Sequence, residues 1–215
     1  MRRCQFLSAL LLTTLLTGCT GTRFKYQPTH AQSYAPVGNN HGVAIIRGED
    51  LRIDTTHPDW SPKVEAIVAD ALADELKHSR IFRHVSLRNS MPKKGDKNYS
   101  RLITFRVQQF EYHDESNALE SLGRAALRSE RSGGTWMARS IPVKFIANVQ
   151  IEFTVIDPAS RQTVFTKSYA ENESVRVNGY QGESQQIHAT SRALEKVITR
   201  FTADLARLPL SGNAP

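Results

Sequence analysis

The sequence predicts an α+β fold in which an antiparallel sheet carries two amphipathic helices on one face. Polar and apolar residues alternate over 143–155, and a hairpin turn follows them. Apolar residues recur at helical spacing over 64–76 and over 187–208. In chain order the elements read β-α-β-β, an insertion, and then β-β-α.

The first half of the domain is expected to hold two strands after an initial strand and helix. Residues 43–46 are an apolar run that suits a strand, and Ser61 and Pro62 are placed as N-cap and first residue of the helix. The charged residues of that helix, Glu75 among them, are expected on its other faces. The next two strands are expected over 81–87 and 101–112.

The second half begins with the strongest strand pattern of the chain. Seven apolar residues of 143–155 project to one side, and a turn at 157–160 returns the chain as a hairpin partner over 162–169. The last helix is expected to start near Ser184 and to be closed by Pro209.

The N-terminus has the parts of a secretory leader in order: Arg2 and Arg3, an apolar stretch over 6–16, and small residues before Cys19. Leu16-Thr17-Gly18-Cys19 resembles a bacterial lipobox. The resemblance implies cleavage before Cys19 and acylation of its sulfur by fatty acids such as palmitate. Thr20 in place of Asp implies export to the outer membrane, where acyl chains anchor without spanning.

Composition agrees with this location. The whole chain carries a formal charge of +7, and the mature chain about +5, which allows contact with anionic lipid or an acidic protein and does not call for nucleic acid. The only other cysteine, Cys4, lies in the leader. No thiol remains for a disulfide, so the fold is expected to rest on its core.

The domain organisation follows from these segments. We expect a signal peptide over 1–18, a lipidated tether over 19–41, one periplasmic domain over 42–209 and a tail over 210–215. The tether should be extended and mobile, because it is rich in glycine, proline and asparagine. Its aromatic residues, Tyr26 among them, are ordinary linker residues, lie at the membrane surface, or belong to a strand that pairs with a partner.

An insertion over 113–140 separates the two long strands and contains an arginine-rich segment. Two interpretations stay open: an interface with acidic lipid or an acidic protein groove, or a solvated hairpin tip. The candidate interaction residues are Arg124, Arg128, Arg131, Trp136 and Arg139.

Motifs for chemistry are absent from the sequence. There is no H-E-x-x-H, no G-x-S-x-G and no glycine-rich phosphate loop. Asp70 and Asp74 share a helix face beside Lys77 and are expected to be solvated. We therefore expect no catalytic residue, no metal and no cofactor.

The element order resembles the auxiliary lipoproteins of ABC-type intermembrane lipid-transport systems. The residues that carry the resemblance are 81–85, 102–110, the hairpin 149–169 and a C-terminal helix ending at 203–209. Curli-secretion and penicillin-binding-protein-activator lipoproteins share a similar layout, and the insertion departs from the auxiliary pattern. The resemblance implies proteins without chemistry that dock on a transport or synthesis machine, often as oligomers.

These observations support one leading hypothesis and one alternative. The leading hypothesis is a non-enzymatic outer-membrane lipoprotein, an accessory or scaffold component of an envelope-spanning lipid-transport system with a protein partner. The alternative is a ring-forming homo-oligomer that acts in secretion or cell-envelope assembly. A periplasmic hydrolase would require a pocket of converging titratable groups.

The anchor can be tested directly. Acylation requires the Cys19 sulfur, so Cys19→Ser should leave an unprocessed or soluble protein without fatty acid. Membrane fractionation with fatty-acid labelling measures this, and label retained by the variant would exclude the lipobox.

Overall fold

Six strands form one mixed sheet, and two helices pack on one of its faces. The computed structural model describes Tyr26 and residues 42–52, 63–114, 143–177 and 182–208. The elements are β1 (Gly42–Ile46), β2 (Glu49–Asp50), α1 (Val64–Ser79), β3 (His84–Arg88), β4 (Tyr99–Asp114), β5 (Val143–Ile156), β6 (Thr163–Val177) and α2 (Gly182–Leu205).

The α+β class and the element order are confirmed, but the sheet is not purely antiparallel. Its strand order is β3-β1-β4-β5-β6, with β2 beside β4. Strand β1 runs parallel to both β3 and β4, whereas β4, β5 and β6 are antiparallel neighbours. The parallel pairing arises because α1 carries the chain from β1 over to β3, and such a crossover joins parallel strands.

Several predicted bounds shift in the structure. The N-cap of α1 is Lys63 and not Ser61, and its side chain makes no capping hydrogen bond. Strand β3 starts at His84, three residues late, because Ile81 and Phe82 are buried in the core. The short β2 lies within the predicted connection after β1, and β6 continues eight residues beyond its predicted end. Helix α2 ends at Leu205, before the predicted Pro209.

The helices cover the sheet face that we call the helix face. Strand β5 alternates as predicted, with Ala147, Val149, Ile151, Phe153 and Val155 buried beneath the helices. The rings of Phe153 and Phe201 of α2 are stacked 4.2 Å apart. Tyr169 of β6 lies edge-on to both rings at 6.0 Å. This aromatic cluster joins β5 and β6 to α2.

A bulge in β4 changes which residues face the helices. Ile103, Phe105 and Val107 are buried, as their alternation predicts, and the register with β5 then shifts between Val107 and Gln109. The extra residue reverses the alternation, so Phe110 enters the core. Without the shift, Gln109 would take the buried position.

On β6 the helix face carries charges that pair with α2. Glu173 pairs with Lys196 and Glu171 pairs with Arg200. Lys167 Nζ and Tyr169 Oη both lie 2.7 Å from one oxygen of Asp204 and donate to it. These hydrogen bonds lower the pKa of the Asp204 carboxyl. Pairs this exposed each contribute about 1 kcal/mol or less, so they mainly orient β6 against α2.

Within the described residues, no helix is both long enough and apolar enough to span a bilayer.

The core prediction concerns Phe153, which is fully buried against Phe201. Phe153→Ala should lower the free energy of unfolding by about 3–5 kcal/mol, because it removes buried apolar surface and leaves a cavity. Denaturant titration measures the loss. Val164→Ala is the matched control, since Val164 is 45% exposed and should change stability little. Equal stability of the two variants would contradict the assigned core.

Candidate functional site

The residues that the sequence nominated for function lie outside the described residues. These are the lipidation residue and the five insertion residues: Cys19, Arg124, Arg128, Arg131, Trp136 and Arg139. The structure does place the two ends of the insertion. Asp114 at the end of β4 pairs with Phe145 near the start of β5, so the insertion leaves and rejoins the sheet at one end. Strand β4 includes residues 113 and 114, the first two predicted for the insertion.

The sheet face opposite the helices, which we call the open face, is left uncovered by the described helices. No described helix packs on it, and its β5 side chains are only half-buried. Those of β6 are exposed. From β5 and β6 it presents seven neutral polar residues, Asn148, Gln150, Thr154, Thr166, Ser168, Asn172 and Ser174. The same face also carries the charged Lys144, Glu152 and Arg176 and the apolar Ile146, Ile156 and Ala170.

These neutral groups hydrogen-bond to one another across strands. Thr166 Oγ1 donates to Thr154 Oγ1 at 3.3 Å. Gln150 Nε2 donates to Ser168 Oγ at 3.4 Å, and Ser168 Oγ donates to Gln108 Oε1 at 3.2 Å. Cross-strand polar pairs of this kind stabilise a sheet face modestly. They also leave a flat surface with groups suited to direct or water-bridged contacts.

Charge on the open face is balanced around Arg106. Its guanidinium lies 3.2 Å from Glu49 and 3.6 Å from Glu152. Because the cation has two carboxylates beside it, this part of the face does not form a basic patch of the kind that recognises nucleic acid.

Strands β1 and β4 contribute a small apolar patch to the same face. Ala44, Ile46 and Leu102 are buried there, and Tyr99 packs against them. The guanidinium of Arg88 lies 5.4 Å from the Tyr99 ring centroid and donates to the hydroxyl from Nη2 at 2.8 Å. Tyr99 and Arg88 thus place polar groups over this patch.

A surface cavity of about 490 Å³ lies beside the start of β4, between residues 95–100 and the turn at 157–159. Its two carboxylates both serve local turns. Asp96 Oδ1 accepts from the backbone N–H of Asn98 at 3.0 Å, and Asp157 Oδ1 accepts from that of Ala159 at 2.8 Å. They are the hydrogen bonds of Asx turns.

Metal-ligating side chains are not gathered anywhere in the described segments, which contain no group of three or more His, Cys, Asp or Glu residues able to hold an ion. Asp70 and Asp74 are exposed on α1, and Asp74 lies 3.8 Å from Lys77. This is the solvated surface that the sequence predicted.

One buried carboxyl contradicts the sequence analysis. Glu75, assigned to an outer face of α1, is 1% exposed, and neither of its oxygens has a hydrogen-bond partner. Burial raises the pKa of this carboxyl, and the nearby Glu195 of α2 raises it further. The signal was in the spacing: position 75 follows Ala71 and Leu72 at helical intervals, on the buried stripe.

Tyr26 lies near this carboxyl, which corrects the picture of a wholly free tether. Its ring packs against the core, and its hydroxyl is buried without a hydrogen-bond partner. Burial raises the pKa of the Tyr26 phenol, with a further contribution from the Glu75 charge. At least one residue of the predicted tether is therefore held on the folded domain.

Glu75 should make stability depend on pH. Folding raises the pKa of the Glu75 carboxyl. Below its unfolded-state pKa of about 4.3 the carboxyl is neutral and is tolerated in the core. As the pH rises through the folded-state pKa, the carboxyl ionises and destabilises the fold. Glu75→Gln should therefore gain about 1 kcal/mol over the native chain at pH 7, the scale of one buried group without a partner. This gain should vanish near pH 4.

Denaturant titrations at the two pH values measure this difference. Asp74→Asn is the matched control, because it removes an exposed carboxyl of the same helix. If the unfolding free energy changes by the same amount between pH 4 and pH 7 in the native chain and in Glu75→Gln, then Glu75 is solvated.

Comparison with known proteins gives a fold and no family. No family model matches the chain, and no curated protein matches it. A neuraminyllactose-binding hemagglutinin homolog from Helicobacter pylori has a similar structure, with a TM-score of 0.50 and 15% identity over 86% of this chain and 94% of that chain. At this identity the similarity shows the fold alone.

Two weaker matches are a minor lipoprotein from Acinetobacter baumannii and the PelC dodecamer from Paraburkholderia phytofirmans. The first has a TM-score of 0.41 and 8% identity over 80% of this chain and 98% of that chain. The second has a TM-score of 0.40 and 14% identity over 78% of this chain and 93% of that chain. Solved bacterial lipoproteins are thus among the structures that match.

Proposed function

We propose that the protein is a non-enzymatic outer-membrane lipoprotein that serves as an accessory or scaffold subunit of an envelope-spanning lipid-transport system. The observation that carries the proposal is the contrast between the two faces of the sheet. The helix face is closed over a packed core, and the open face is polar, carries charges of both signs, and has no described helix packed on it. Such a domain is suited to holding another protein.

The anchor supports the location. The leader ends in Leu16-Thr17-Gly18-Cys19, and acyl chains on Cys19 would hold the domain at the membrane surface. Several acyl chains hold far better than one, so the domain would stay at the membrane through many cycles of contact with its partner.

The packed core favours a scaffold role for this domain and argues against a role as a lipid carrier. The space between β5 and α2 is filled by the stacked rings of Phe153 and Phe201, with Tyr169 edge-on to both. All three residues are almost fully buried. An acyl chain could enter there only by displacing them, at the cost of disrupting a close-packed core. The lipid cargo would therefore pass through a partner that this domain supports.

The open face would form the protein contact. Its amide and hydroxyl groups already bond to one another, so a partner gains polar contacts without stranding a buried charge. Contacts rich in bridging water are compatible with specific recognition. The arginines of the insertion, Arg124, Arg128, Arg131 and Arg139, would add attraction to acidic lipid or an acidic protein, which salt weakens.

The proposal is tested in the cell that makes the protein. Deleting the gene should slow the exchange of pulse-labelled phospholipid between the two membranes. The native chain should restore it, and Cys19→Ser should not, because the domain is then no longer held at the membrane. A chain with all four insertion arginines changed to Gln should be stably made, because surface changes usually shift stability by about 0.5 kcal/mol or less. It should restore exchange only partly.

The matched control is a chain with four exposed lysines away from the insertion, Lys77, Lys93, Lys94 and Lys97, changed to Gln. It loses the same charge and should restore exchange fully. Unchanged lipid exchange after deletion would contradict the transport role. Equal loss of lipid exchange in both four-residue variants would show that the arginines have no specific role in the contact.

A further inference from the structure

Strand β6 forms a long edge of the sheet, and no other strand in the described part of the chain covers it. It ends the strand order and pairs only with β5. Its 15 residues, Thr163–Val177, make it one of the longest strands of the sheet. A long open edge presents unpaired backbone N–H and C=O groups along its length and is a template for another strand.

The sequence of β6 is complementary to its own reverse. If the strand is reversed about its central residue, Ala170, Phe165 meets an aliphatic residue, Lys167 meets a glutamate, and the hydroxyl and amide residues of the open face meet one another, whereas Tyr169 meets Glu171 and Val164 meets Arg176. The central positions match best, and the resulting pairs are Phe165 with Val175, Thr166 with Ser174, Lys167 with Glu173, Ser168 with Asn172, and Tyr169 with Glu171.

We propose that two copies of the chain pair through antiparallel β6 strands about a two-fold axis at Ala170, which joins their sheets into one. Residues directly opposite in an antiparallel pair share a sheet face. Every pair above joins two residues of the same face, so both copies keep their helices on one side and their open faces on the other. The proposal does not depend on the lipid anchor or on the transport role.

Charge selects this register. On the helix face, Lys167 of each copy would stand opposite Glu173 of the other, and Glu173 already pairs with Lys196. Lys167 has its own partner in Asp204 at 2.7 Å, and its side chain is 48% exposed. The two existing pairs would thus merge into one network across the axis. Networks stabilise more than isolated surface pairs.

Neighbouring registers that keep the helices on one side are worse. Moving the axis one residue later, to Glu171, would set the two Glu171 carboxylates against each other, and directly opposed like charges are unfavourable. Moving it one residue earlier, to Tyr169, would place Phe165 opposite Glu173. The register about Tyr169 also pairs Lys167 with Glu171, but only the axis at Ala170 gives Lys167 a glutamate partner and Phe165 an aliphatic partner together.

A disulfide at the axis tests the register. In the full chain, Ala170→Cys would put two thiols directly opposite, with Cα atoms about 4.5–5.5 Å apart. A disulfide requires about 4.4–6.8 Å. Ala170 is exposed on the open face, so the change should not disturb the core.

Two matched variants serve as controls. In Thr166→Cys alone, each new thiol would lie opposite Ser174 of the other copy. The other copy's thiol would be eight residues further along the strand, about 27 Å away, so this variant should not cross-link. The double variant Thr166→Cys with Ser174→Cys should cross-link again, because each new thiol then faces the other.

The variants are oxidised in the cell envelope and separated on non-reducing gels. The unsubstituted chain is run alongside them and then sedimented in detergent. We expect a disulfide dimer from Ala170→Cys and from the double variant, monomer from Thr166→Cys, and a dimer mass for the unsubstituted chain. Equal cross-linking of both single variants, no cross-linking of Ala170→Cys, or a monomer or ring mass for the unsubstituted chain would overturn the proposal.

Discussion

The contact between Phe153 and Phe201 holds the two layers of this fold together. The rings are stacked 4.2 Å apart, and each belongs to an element that needs the other. Strand β5 has a continuous apolar face that must be covered, and α2 has a buried stripe from Ile187 to Leu205. Burying both in one interface gives the largest favourable term available to a fold without disulfides. The ion pairs between β6 and α2 then fix the orientation at the rim.

Once β5 and α2 are joined, the rest of the sheet has to keep its apolar residues on the same side. The bulge after Val107 does this in β4, because it lets Phe110 follow Val107 into the core despite an odd spacing. Placing the larger apolar side chains of β4 and β5 on the helix face leaves the opposite face of β5 and β6 to mainly polar residues, among them threonine, serine, asparagine and glutamine and the charged Lys144, Glu152 and Arg176. The polar surface on which the proposed function rests is thus a consequence of how the core is covered.

Glu75 departs from this separation of apolar and polar residues. A carboxyl without a partner in an apolar helix interface is unfavourable and is kept at some cost in stability. It lies near Tyr26, the one tether residue that the structure describes. Tyr26 therefore packs on the folded domain beside a buried carboxyl that has no hydrogen-bond partner.

Much of the fold could be read from periodicity, because the alternation in β5 and the helical spacing in α1 and α2 are local patterns that burial of one face imposes. The sequence by itself also predicts the leader, contains none of the catalytic motifs considered, and places the insertion between the two long strands. The tertiary structure decided the parallel placement of β1, since pairing partners distant in sequence leave no local pattern. It likewise decided the burial of Glu75, because the contact of α1 with α2 sets which side of the apolar stripe is covered. It made β6 a full-length edge strand, since the pairing with β5 extends through residues 170–177, where polar residues show no apolar period of their own.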